Sequence, residues 1–349
     1  MRRNRPRPAC PDRHGARRPG GRLAVITAAA LVLVACGGGD TPVVGDAPDA
    51  DDDELAELSV AIASFDISAG EQRRLMAGVF SPTRQLVAFG EVEFGLAYLG
   101  EGEDTDMEAE LDQRVTASFL GVPGIEPEGE ATQPTLVDDT GSGVYAATVD
   151  LERPGIYGLQ VAAELDDGSV VTGQQAFTVT EHSEVPDVGD EAPAVDNFTI
   201  QDAEDGLVEP VAVDSRAQDG DLDVLDPRLH STSVADALDA GRPVVVTIAT
   251  PVYCQTRFCG PLTEVVADLA DDYADRADFV HLEVWEDFDE QQLNDAAAAW
   301  IQTEFGGNEP WVFLVDEDGR VAARWDNVLD VEELVAELDT LPTIDAAGS

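Results

Sequence analysis

Between residues 58 and 179 the chain alternates. LSVAIASF, RLMAGVFS, EVEFGLAYL, RVTASFL, GVYAATVDL, GIYGLQVAAEL and VVTGQQAFTV are short runs in which apolar and polar positions exchange, and Gly-, Pro- and Asp-rich turns separate them. A two-residue period punctuated in this way predicts half-buried strands. About seven of them across roughly 120 residues predict an antiparallel β-sandwich spanning residues 57–180.

The pattern changes at Ser233. SVADALDA predicts a short helix, RPVVVTIA a strand buried on both faces, and PLTEVVADLADDYAD a helix with Leu262, Val265, Val266, Leu269 and Tyr273 on one side. DFVHLEVW predicts a strand and DEQQLNDAAAAWIQTEF a helix. PWVFLVD and GRVAARWD predict a hairpin, and DVEELVAEL a closing helix. Alternating helix and strand predict an α/β layer over residues 229–345. Residues 181–228 read as an acidic, Pro-containing linker. The expected fold class is multidomain, an all-β sandwich followed by an α/β domain.

Charge and the first residues change the picture next. Of 349 residues, 71 are acidic and 20 basic, all of the latter arginine, and the net charge is −51. Eight arginines precede Cys36; from there on 12 arginines face 70 acids, a formal charge of −58. Such a surface repels nucleic-acid phosphates, so no nucleic-acid partner is expected. Its plain reading is a solvated surface suited to salty surroundings. The runs DAEDG and DSRAQDGDLD lack the spacing of a calcium-binding helix–loop–helix.

Arg17, Arg18 and Arg22 precede LAVITAAALVLVA, an apolar run too short to span a bilayer comfortably. It ends in LVAC, which resembles the lipobox of bacterial lipoproteins. The resemblance implies that residues 1–35 are a signal peptide and that Cys36 is lipidated. An ordinary cleaved signal with a chance cysteine is the alternative. Residues 36–56, rich in Gly, Pro and Asp, would be an acidic disordered tether. The mature protein is then expected to be lipid-anchored on the outer face of the cell membrane, where disulfides persist. Cys10 would leave with the signal, and Cys254 and Cys259, if they pair, pair with each other.

Three further resemblances bear on function. RPGIYGLQV places Tyr157 like the tyrosine corner of immunoglobulin-like domains, although the Cys…Trp…Cys signature is missing. VGDEAPAV (188–195) resembles the segment that leads into redoxin domains. VVVTIATPVYCQTRFCGP and NEPWVFLVDEDGRVAARW together resemble the cysteine-bearing strand–turn–helix and the cis-proline hairpin of thioredoxin-like proteins. The last two resemblances cover roughly residues 187–343. They imply a thiol–disulfide oxidoreductase in which Cys254 and Cys259 form a redox-active disulfide. Pro310 would be the cis-proline, with Glu309 and Tyr253 beside the substrate.

The spacing departs from that family, with four residues between the cysteines instead of two. Either Cys254 attacks after Tyr253 and Cys259 resolves, or FCGPL supplies an attacking Cys259 with Cys254 displaced. Residues five apart within a helix lie about 8.5 Å apart, and a disulfide tolerates at most about 7 Å. A bonded pair therefore needs Cys254 in the loop ahead of the helix and Cys259 in its first turn, where unsatisfied N–H groups favour a thiolate. Arg257 either lowers a thiol pKa or is a solvent-facing loop charge. VVVTIAT carries no acid where thioredoxins keep a buried carboxylate to move a proton.

The competing readings of the pair are a structural disulfide in a non-enzymatic scaffold, a copper site and a peroxidase. Copper would need a downstream loop histidine. His281 lies in an apolar strand and reads as a satisfied core histidine, His230 precedes the helix, and His182 is in the linker. No metal or other cofactor is expected. The expected partners are exported proteins bearing thiols or disulfides, the membrane through the lipid anchor, and a protein partner for the sandwich.

Overall fold

The structure is a computed structural model that describes residues 57–344, apart from 103, 107–108, 128–130, 139–141, 255, 257 and 304–306. The signal, Cys36, the tether and Arg257 lie outside the described residues.

The first part is built from β1 (Ser59–Ile62), β2 (Gly70–Phe80), β3 (Leu86–Ala88), β4 (Glu91–Glu101), β5 (Asp104–Thr105), β6 (Gln113–Gly121), β7 (Thr135–Val137), β8 (Gly143–Leu151), β9 (Gly155–Glu164) and β10 (Val170–Val179). The seven alternating runs lie on the longer strands and on β1; the pattern missed β3, β5 and β7, too short to show a period. Alternation works as expected: along β9, positions 157, 159, 161 and 163 are buried between partly exposed neighbours. The strands do not form two separate sheets. All ten belong to one hydrogen-bonded sheet, because β6 gives its first half to β4 and its second half to β8. The sheet thus folds over one core that takes Phe94, Tyr145, Leu159 and Phe177 from distant strands. β1 pairs with β2 and meets β10 where the Leu58 amide donates to Thr172 O. That approach leaves no room for a Cβ at Gly173. The Tyr157 hydroxyl donates to the carbonyl of Arg153, four residues upstream.

The second part holds α1 (Ile200–Glu204), α2 (Pro227–His230), α3 (Val234–Asp239), β11 (Val244–Ala249), α4 (Cys259–Tyr273), β12 (Asp278–Glu283), β13 (Trp285–Asp287), β14 (Gln292–Leu293), α5 (Asp295–Ile301), β15 (Trp311–Val315), β16 (Val321–Asp326) and α6 (Val331–Thr340). Four strands form a sheet in the order β12-β11-β15-β16, β11 running parallel to β12 and antiparallel to β15. β11 is buried at every position, as its unbroken apolar run requires. One face packs on α3 and α5 through Val234, Ala237, Ala297 and Trp300. The other packs on α2, α4 and α6 through Leu229, Leu262, Val266, Leu334 and Leu338. Among the described residues no helix is long and apolar enough to cross a membrane.

Three sequence expectations are corrected. The segment 181–228 is not a loose linker, because Ala203, Val213, Ala217 and Leu225 bury a small core of their own and Asp214 and Ser215 are fully buried. The helix expected from Asp289 begins only at Asp295, since the Asn294 side chain caps the Ala296 amide and the preceding residues pair as the β13–β14 ribbon. The two parts are also not beads on a string. Arg324 on β16 bonds Asp66, which follows β1, at 2.8 Å and Asp187 at 3.3 Å. The Phe65 amide donates to Asp326, and the Asn327 side chain to the Ala63 carbonyl.

Candidate functional site

Cys254 and Cys259 are joined by a disulfide, with Cα atoms 6.1 Å apart. Cys259 is the first residue of α4 and is fully buried; Cys254 lies in the preceding loop and is partly exposed. The loop is held by the Cys254 amide, which donates to Thr250 O at 3.1 Å, and the Thr256 hydroxyl stands 3.2 Å from Cys254 Sγ. Phe258, just before Cys259, joins an apolar seam with Met76, Val122, Val144 and Val328. A Cβ added at Gly124 would lie 3.1 Å from Pro261, so the β-sheet part reaches the first turn of α4.

Tyr253 stacks flat on Phe288, and its hydroxyl accepts from Gln218 at 3.0 Å. Val252 and Phe288 are exposed beside it, so an apolar patch adjoins the partly exposed Cys254.

Glu309 was expected beside the substrate; its pairing with Glu283 was not. The Glu309–Pro310 bond is cis, and one Glu309 carboxylate oxygen and both sulfurs lie within 4.8 Å of one another. Glu309 Oε2 is shut off from solvent with no hydrogen-bond partner. Burial pushes this carboxyl up to about 8, the neighbouring charge of Glu283 adds to the effect, and the Thr250 amide opposes it. Glu283, at the end of β12, is fully buried, and burial pushes it up to about 7 against hydrogen bonds from Thr250 and Ser215. Its Oε2 accepts from the Ser215 amide at 2.8 Å. β11 carries no acid, but β12 and the segment before β15 bring two to its end. The Glu in HLEVW and the Glu in NEPW are the sequence signal for this pair, and neither lies on β11.

A second buried cluster joins Asp214, His230 and His281. His230 precedes α3, as expected, as the last residue of the short α2, and its Nε2 lies 2.9 Å from His281 Nδ1. Arg216 holds Asp214 through a fork whose shortest bond is 2.6 Å. Burial pushes His230 down, and pushes His281 down to about 4, with Asp214 opposing both. Thus His281 is a core residue, as expected, and its polar neighbours come from the presumed linker and α2. His182 is exposed beside Glu181.

No protein-family model matches the chain, and no curated protein matches it. Among solved structures it is similar to Spo0M, a sporulation control protein from Bacillus subtilis, at 11% identity and a TM-score of 0.22. That match covers 44% of this chain and 56% of the other, so it spans little more than half the length of Spo0M.

Proposed function

We propose that this chain is an extracytoplasmic, membrane-anchored thiol–disulfide oxidoreductase acting on exported proteins, with a thioredoxin-like domain as its redox part. The observation that supports the reading is the asymmetry of the disulfide: Cys254 is partly exposed, Cys259 is buried at a helix N-terminus, and a carboxylate with one unpaired oxygen stands beside both sulfurs.

In the reduced protein Cys254 attacks a substrate disulfide as a thiolate. Its proton passes to Glu309, and a mixed disulfide forms as the substrate's leaving sulfur takes up a proton. Cys259 then attacks Cys254 Sγ, which re-forms the Cys254–Cys259 bond and releases the second substrate thiol. Two electrons leave the protein dithiol for the substrate; run backwards, the same steps oxidise a substrate dithiol. Glu309, held near 8, exchanges protons readily at neutral pH. The apolar patch of Val252, Tyr253 and Phe288 suits an extended protein segment. The β-sheet part serves as the platform, with a protein partner of its own, and Cys36 as the lipid anchor.

Trapping tests this. Replacing Cys259 with Ala should leave Cys254 in stable mixed disulfides with exported proteins. No adduct from this variant or from the converse Cys254→Ala variant sinks the proposal.

The second reading is a non-enzymatic scaffold with a structural bridge. The full burial of Cys259 and the packing of Phe258 into the seam favour it. A reduction potential below about −300 mV would select it.

A further inference from the structure

Three side chains that the thiol chemistry does not use converge in the core, and two of them face each other without a donor. His230 Nδ1 lies 2.8 Å from the carbonyl of Asp226, and His281 Nε2 lies 3.1 Å from the carbonyl of Ala249. A carbonyl only accepts, so each of these ring nitrogens carries a proton. A neutral imidazole has a single N–H. The two remaining nitrogens, His230 Nε2 and His281 Nδ1, therefore turn lone pairs toward each other at 2.9 Å. Asp214 Oδ2 adds a third acceptor 3.7 Å from the first and 3.8 Å from the second. Asp214 and His230 are 0% and His281 1% exposed, so bulk water does not relieve the conflict. Three acceptors converge with no donor among them.

We infer that Asp214, His230 and His281 form a binding site for a divalent transition-metal ion, with zinc the best fit. The triangle drawn by the three donor atoms has its centre about 2.0 Å from every corner, inside the zinc–nitrogen and zinc–oxygen range of about 2.0–2.2 Å. A lone proton between the rings would bridge the two nitrogens only; a metal ion engages Oδ2 as well. The outer contacts also suit a metal. Each histidine fixes its distal N–H on a carbonyl, the usual way in which a ligating imidazole is oriented. Arg216 orients the carboxylate, its Nε reaching Oδ1 at 3.0 Å and Oδ2 at 3.1 Å and its Nη2 reaching Oδ2 at 2.6 Å. Two imidazoles and a carboxylate select zinc or a neighbouring first-row ion over calcium or magnesium.

A fourth coordination position is left for a hydroxyl or water. Thr247 is aligned with His281 in the β11–β12 register, on the same face of the sheet, and its buried hydroxyl has no partner. The three ligands come from three separate segments: the 214 loop, α2 and β12. A metal here would staple the acidic segment to the central sheet below Ala249, where the chain turns toward Cys254.

The test uses the full chain, purified without a polyhistidine tag, stripped with a chelator and titrated with Zn2+ and Co2+. We expect one equivalent to bind and to raise the melting temperature. The cobalt form should show visible d–d bands without sulfur charge transfer, and X-ray absorption should show imidazole and oxygen scatterers alone. Binding should persist in the Cys254→Ser/Cys259→Ser double variant and be lost in His230→Gln and Asp214→Asn. If these two fail to fold, the spectra of the unaltered chain decide. No uptake by the unaltered chain overturns the site, as does sulfur ligation, or uptake that survives His230→Gln and vanishes in the cysteine variant.

Discussion

Tyr253 lies face to face with Phe288, ring centroids 3.9 Å apart and planes within 2°. Trp285 meets the outer ring edge-on at 5.4 Å, so the residue before Cys254 rests on an aromatic stack carried by the β13–β14 region. Such pairs contribute about 0.5–1.5 kcal/mol beyond burial. Phe288→Ala should therefore raise KM for a protein substrate by roughly three- to tenfold, while the reaction with a small dithiol stays near its original rate. Parallel kinetics with the two substrates check it, and equal losses for both would refute it.

Glu309→Gln keeps the shape of the side chain and removes its proton acceptor. Disulfide exchange at neutral pH should slow by roughly 100-fold, within the usual range for a positioned acid–base group. In the unaltered protein the rate of attack should climb with pH and level off near the Glu309 value of about 8. In the variant that inflection should disappear, as stopped-flow measurements across the range would show.

Stability should respond to the same group in a definite direction. Glu309 keeps its proton up to about 8 in the folded chain but gives it up near the ordinary carboxylate value when unfolded. Between these values the folded state binds more protons, so stability falls as pH rises through that window and flattens above it. Buried Glu283, raised to about 7, acts in the same sense. The melting temperature of Glu309→Gln should depend less steeply on pH than that of the unaltered chain. Each kcal/mol recovered corresponds to about 2–4 °C. Calorimetry at several pH values is the measurement, and a melting temperature that rises with pH across this window would contradict it.

Arg324 is mostly buried and pairs with Asp66 and Asp187 while bonding Ser183 Oγ. Removing one partner of a buried charge cluster costs about 3–5 kcal/mol. Arg324→Ala should lower the melting temperature by roughly 6–20 °C and expose the 63–68 segment to protease. Limited proteolysis with mass mapping checks the second effect, and an unchanged digestion pattern would count against the role given to Arg324.

The periodic parts of this molecule were legible in the sequence. Strands β8 to β10 alternate cleanly, β11 is uniformly apolar, and α4 carries its stripe, so burial follows from pattern. The Cys254–Cys259 pair was legible as well, since few other cysteines compete. What escaped depends on long-range geometry. Nothing local tells that β6 will serve two partners, or that the acidic stretch around Asp214 folds under β12. Glu283 reads as the end of a strand, and its meeting with Glu309 arises only when β12 and β15 flank β11. Asn294 was a visible capping residue, but a helical run of alanines beyond it and acidic residues before it masked the boundary.

The hydrogen bond from the Phe65 amide to Asp326 spans 261 positions of chain. Delivered amino end first, the polypeptide would present β1 and the strap behind it long before the carboxylate that receives them exists outside. The earliest segment to arrive must then wait for one of the last, and a chain cut short before residue 326 would leave that strap with nothing to fasten to.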